Sequence, residues 1–133
     1  MKSILSALLL LAASPAMAAP PSPTGTWRNA SDSVRIRVAP CGRALCGTVV
    51  SANAKARADA AAGGTPRLVG TQLFREFRRD ADGGWTGTVF VPDLGLEVDG
   101  TLALEGADTL VGSGCLLGAI GCREQRWTRV RGK

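Results

Sequence analysis

The sequence predicts an all-β domain, a small antiparallel barrel or sandwich of eight short strands, and three observations carry that reading. Turn signals recur every 8 to 12 positions through the roughly 107 residues from Gly25 to Arg131. Glycines fall inside the strand candidates, at Gly47, Gly87, Gly100 and Gly112, where a small barrel needs sharp bends. The closing segment, Arg123 to Val130, is rich in β-branched, aromatic and long basic residues and needs an edge to pair with. Its plausible counterpart is Gly25-Thr26-Trp27 at the other end, so the first and last strands are expected to meet and leave no open sheet margin.

The chain opens on Met1-Lys2, runs apolar from Ile4 to Ala13 and reaches Ala16-Met17-Ala18. A positive start, a short apolar core and small residues spaced A-x-A mark residues 1–18 as a secretory signal peptide cut after Ala18. The apolar run falls short of the roughly 20 residues that span a bilayer. Residues 19–24, with Pro20, Pro21 and Pro23, form an extended proline-rich lead-in, and residues 25–131 form the domain.

A first strand over Gly25 to Asn29 ends in the polar turn Asn29 to Ser33. Val34-Arg35-Ile36-Arg37-Val38 alternates, with the aliphatic residues on one face and both arginines on the other, which defines a half-buried strand. A turn fenced by Cys41 and Cys46 returns the chain through Gly47 to Val50. The alanine-rich run from Ala52 to Gly64 has helix propensity but no apolar stripe, and reads as a mobile loop with at most a helical turn. Leu68 to Arg79 fits both helical and strand spacing and is read as a strand with a bulge. Asp80 to Gly84 turns the chain into Trp85 to Val91, and Pro92-Asp93-Leu94-Gly95 is a strong turn signal. Leu96, Val98, Leu102 and Leu104 then share a face, Thr109 to Gly114 gives the seventh strand, and the hairpin between Cys115 and Cys122 delivers the eighth.

Four cysteines in the mature part fit an oxidising compartment, either periplasmic or secreted. Three connectivities are possible, and local pairing of Cys41 with Cys46 and Cys115 with Cys122 is preferred. Each local bridge contributes about 2 kcal/mol in the chain-entropy estimate, against about 4 kcal/mol for a long-range one, so the bridges hold loop shape more than fold. Zinc is disfavoured by the x4 and x6 spacings and by the absence of histidine, and no metal or cofactor is expected.

Removing Lys2 with the leader lowers the formal charge from +5 to +4, carried by thirteen arginines, Lys55 and Lys133. With six aromatic residues and no basic run longer than Arg78-Arg79, nucleic acid is a poor partner. Without histidine or tyrosine, acid-base chemistry would fall to carboxylates such as Asp93, Glu97 and Asp99, which have outward-facing parity. No catalytic residue is assigned, and the chain is read as non-enzymatic. Asp80-x-Asp82-Gly83 has the look of a calcium-loop fragment but lacks the further oxygen ligands and the distal glutamate, so it reads as a turn.

Gly25-x-Trp27, Cys41-x4-Cys46-Gly47, Gly84-Trp85, Pro92-Asp93-x-Gly95, Gly114-Cys115 and the closing Trp127-Thr128-Arg129-Val130 together resemble the bacterial exported family called Domain of Unknown Function 2147, over Gly25 to Val130. The resemblance implies an eight-stranded antiparallel up-and-down barrel of lipocalin type, and no established activity. The chain departs from the family in two places: the family's Asp- and Asn-rich loop after the third strand is alanine-rich here, and its tyrosines near Pro92 to Val98 are absent.

In such barrels an arginine of the last strand packs on the opening tryptophan, which implies a structural cap made by Trp27 and Arg129, with Arg126 the second choice. An alternative puts Trp127, Arg129 and Arg131 on one face as a platform for an anionic ligand. The primary expectation is an exported binding module that holds a small apolar or amphipathic ligand in the barrel mouth. Val34, Ile36, Val38, Trp85, Val89, Val98 and Leu102 would line it, with Arg129 available to a head group if it is not spent on the cap. A barrel of this size is barely wide enough for one small guest or its own side chains. Two other expectations are a protein-interaction barrel, such as a periplasmic protease inhibitor inserting residues 19–24, and adhesion to an anionic envelope polymer through Arg75, Arg78 and Arg79.

Overall fold

The computed structural model describes residues 9–15, 21–118 and 120–132. The expected cleavage site after Ala18 lies outside the described residues, as do parts of the proposed leader and Pro20 of the lead-in. The alternating segments fold as strands β1 (Gly25–Arg28), β2 (Val34–Cys41), β3 (Ala44–Ala52), β4 (Gln72–Arg79), β5 (Trp85–Val91), β6 (Leu96–Glu105), β7 (Thr109–Leu117) and β8 (Ile120–Arg129), with one helix, α1 (Ala54–Ala62), between β3 and β4. Each strand pairs antiparallel with its neighbours in sequence, and β8 returns to β1 through Trp27 opposite Arg129, closing an up-and-down barrel. Closure leaves no unpaired sheet edge among the described residues.

Alternation builds the wall. On β2, Ile36 and Val38 are buried while Arg37 is exposed, and the inner face continues through Val49, Phe77, Trp85, Leu102, Leu110 and Trp127. The bulge on β4 lies between Arg75 and Arg78, where the register with β5 shifts and Glu76 adopts a φ of 51°. This extra residue lets Phe74 and Phe77, three apart, both turn inward and meet edge to face with ring centroids 5.7 Å apart.

Residues 54–62 form a helix rather than the mobile loop expected from their composition. Asn53 caps the first turn by accepting a hydrogen bond from the Ala56 amide at 2.8 Å, and the helix ends at Gly63. The reason for the difference is scale: α1 docks through Ala60, fully buried, and Ala56, contacts too small to register as an apolar stripe. Gly63 makes the docking possible, since a Cβ there would stand 1.9 Å from the carbonyl oxygen of Asp93.

Because every connection reverses the chain, the loops sort into two ends. Residues 21–24 of the lead-in, the Cys41–Cys46 loop, the Asp80–Gly84 turn and the β6–β7 turn gather at one end. The β1–β2 turn, α1, the Pro92–Gly95 turn and the β7–β8 hairpin gather at the other. The disulfides join Cys41 to Cys46 and Cys115 to Cys122, so each end carries one stapled hairpin.

Candidate functional site

One end of the barrel is shut by its own side chains. The Arg129 guanidinium lies 4.3 Å from the centroid of the Trp27 ring, and Trp27 is fully buried. Arg129 donates to three carbonyls: Thr24 at 2.9 Å, Ser22 at 2.6 Å and Ala107 at 2.9 Å. The Trp27 indole N–H donates to the Pro23 carbonyl at 2.8 Å. A planar fork with this many donors suits the task because it can stack on a ring and satisfy several carbonyls together. Gly25 is needed beneath it, since its φ is 148° and a Cβ would stand 2.6 Å from Arg129 Nη1.

The other end is open. A cavity of about 830 Å³ runs from the α1 end into the barrel, lined at its apolar wall by Val34, Leu68, Leu73, Phe74, Val89, Val98 and Trp127. Its size falls in the range of small-molecule sites, roughly 300–1,000 Å³. Room exists because β7 turns glycines inward: Gly112 and Gly114 pair with Gln125 and Arg123 of β8 and are themselves lining residues. A Cβ at Gly114 would approach Val98 Cγ2 to 2.9 Å, so the bare backbone keeps this stretch of wall clear. At the lip, Leu94 and Leu116 are both exposed and both line the opening.

Trp127 sits at the inner part of this cavity, 2% exposed, with its ring edge to face against Phe74 at 5.8 Å. Its indole N–H has no acceptor among the described residues. Leaving such a donor unpaired costs about 1–3 kcal/mol.

The residues expected to meet a ligand divide between the two ends. Val89, Val98 and Val34 line the cavity. Trp85, Leu102, Ile36 and Val38 face inward but belong to the packed core and are not among the lining residues. Trp85 starts β5 at the shut end, where the Arg79 guanidinium covers it at 4.7 Å. Arg129 is likewise outside the cavity and engaged on Trp27, and Arg131 pairs with Asp108, so neither borders the opening. Arg126 points outward and forms a bidentate pair with Glu105. Sequence reasoning did not single out Leu68, Leu73 and Phe74, or Arg123 and Gln125, as lining residues. The parity of Trp127 extended toward Cys122 carried the signal for the last two.

The other expected clusters are structural in their contacts. Arg75 lies 4.3 Å from the Phe90 centroid and pairs with Glu97, which leaves Arg78 as the member of that trio with neither an aromatic nor an acidic partner among the described residues. Asp80 accepts from the amides of Asp82 and Gly84, both at 3.0 Å, and from the Thr86 hydroxyl, which makes it a turn residue. Among the described residues no group of three or more acidic or cysteine side chains could hold a metal ion. The hydrogen bond from Arg126 holds the Glu105 carboxyl below the usual range, and that from Arg35 does the same for Asp32. Both pairs are solvent-exposed and neither lines the cavity, although Asp32 belongs to the β1–β2 turn whose Ser31 and Ser33 do.

A closed up-and-down barrel, shut at one end by an arginine on a tryptophan and hollow at the other, defines the class of lipocalin-like barrels. The chain belongs to the family of uncharacterized proteins conserved in bacteria, DUF2147, which matches residues 25–129. Among solved structures it is similar to protein HP1028 from the human pathogen Helicobacter pylori, which belongs to the lipocalin family. The TM-score is 0.64 at 11% identity, covering 84% of this chain and 85% of that one. At that identity the likeness shows the fold. No curated protein matches the chain.

Proposed function

We propose that this chain is an exported, non-enzymatic binding module that takes a small apolar or amphipathic ligand through the open end of its barrel. The cavity of about 830 Å³, with aliphatic and aromatic walls, is the observation that supports this reading. Burial of ligand hydrocarbon against Phe74, Val89, Val98 and Trp127 supplies the affinity, at about 25 cal/mol per Å² of apolar surface removed from water. The A-x-A leader and the two disulfides support a periplasmic or secreted location. The lead-in, whose Ser22, Pro23 and Thr24 carbonyls are held by Arg129 and Trp27, is a poor inserting arm for a protein target.

Native mass spectrometry of protein purified from the periplasm tests the reading, with Val98→Trp as the comparison because its larger ring intrudes into the cavity. Wild-type protein is expected to carry a small-molecule mass, or to take up the apolar fluorophore N-phenylnaphthylamine, and the variant to do neither while remaining folded. Bare wild-type protein that also ignores the fluorophore refutes it.

A further inference from the structure

The charged residues that border the opening are Lys55, Asp59, Asp93, Arg123 and Glu124. Trp127, Gln125 and Arg123 alternate on the inner face of β8; Glu124 between them also borders the opening, where its carboxylate is paired with Arg126 at 3.5 Å. Arg123 and Gln125 stand opposite Gly114 and Gly112, so the β7 residues paired with them put no side chain against them, and Leu116 borders the opening nearer the lip. At about 3.4 Å per residue, Arg123 lies roughly 14 Å from Trp127 along the strand, toward the lip.

The remaining charges at the mouth are few. Lys55 and Asp59 of α1 neutralise each other at 2.7 Å. Arg123 and Asp93 are lining residues with no ion pair among the described residues. Arg123 stands within the barrel wall beside an amide, whereas Asp93 belongs to the turn packed against Gly63.

We infer that the ligand is an amphipathic anion, its carboxylate or equivalent head group held by Arg123 and Gln125 near the lip and its hydrocarbon reaching inward toward Trp127. This deepens the binding-module reading and rests on it. An arginine fork accepts a carboxylate through two parallel hydrogen bonds, and Gln125 can donate a third from its amide. The walls beyond, Phe74, Val89 and Val98, carry no charge, and the Trp127 indole N–H at their inner end is a neutral donor. Polarity therefore sets the direction in which the ligand lies.

The test is calorimetric titration of the full mature protein with dodecanoate, dodecanol and dodecyltrimethylammonium, using wild type, Arg123→Gln and Arg37→Gln. Wild type is expected to bind dodecanoate and dodecanol and to reject the cation. Arg123→Gln should weaken dodecanoate about tenfold or more and leave dodecanol unchanged, while Arg37→Gln, altered on the exposed outer face of β2, should match wild type for both. Preference for the cation would assign the mouth to Asp93 and overturn the inference. Dodecanoate affinity indifferent to Arg123→Gln, with dodecanol still bound, would overturn the head-group assignment alone. Binding of neither dodecanoate nor dodecanol would sink the cavity reading together with it.

Discussion

Truncating Arg129 to alanine removes the shut end of the barrel in one step. The loss comprises three charge-assisted hydrogen bonds, to the carbonyls of Ser22, Thr24 and Ala107, and the contact with the Trp27 ring at 4.3 Å. Hydrogen bonds to charged groups contribute about 1.5–3 kcal/mol each, and the cation-π contact about 1 kcal/mol. The Arg129 side chain is 17% exposed and water can reach part of the freed carbonyls, so the sum is discounted to about 3–4 kcal/mol. Lysine keeps the charge but not the fork, so Arg129→Lys should recover only about 1 kcal/mol. Urea unfolding of the mature protein, followed by tryptophan fluorescence, gives both values from the shift in midpoint at constant slope. Arg129→Ala within about 1 kcal/mol of wild type, or Arg129→Lys indistinguishable from it, would refute the cap. Dodecanoate binding by Arg129→Lys should be unchanged, because Arg129 does not border the cavity.

Gly63→Ala should cost about 3 kcal/mol in the same assay, since its Cβ would lie 1.9 Å from the Asp93 carbonyl and force α1 away from the β5–β6 turn; unchanged stability would show that the helix is not docked there. Replacing Cys115 and Cys122 by serine should lower stability by about 2 kcal/mol without unfolding the barrel, and circular dichroism that loses its β signal at room temperature would contradict this. Glu105 and Asp32 are held below the ordinary carboxylate range by their arginine partners, so their contribution is complete above that range and is lost as pH falls through the lowered values. Melting temperature followed from about pH 6 to about pH 2 should therefore decline less steeply for Glu105→Gln than for wild type. Parallel curves would show that the Arg126 pair adds nothing to stability.

How far the sequence could be read depended on the kind of information each feature needs. Face is local, so the inward residues of β2 and β6 and the bulge of β4 were legible from alternation alone. Depth along the barrel axis is not local. Trp85 and Leu102 have the same inward parity as Val89 and Val98, yet pair with each other at the packed end while the valines line the opening. The last strand illustrates the same point. The Trp127 face was extended forward to Arg129 and Arg131, and closure on Trp27 puts those residues at the shut end, so the mouth belongs to Gln125 and Arg123. Helix α1 escaped because alanine contacts leave no amphipathic pattern, although the Asn53 cap and the Gly63-Gly64 stop are both written in the sequence.

The three tryptophan indole N–H groups offer the most direct test, because each reports a different part of the molecule. In a nitrogen–proton correlation spectrum of labelled mature protein titrated with dodecanoate, the Trp127 resonance, buried in the hollow half with no acceptor among the described residues, should move. The Trp27 resonance, held by the Pro23 carbonyl under Arg129, should stay in place. A Trp127 signal that ignores the ligand while Trp27 shifts would put the guest at the wrong end of the barrel and contradict the account.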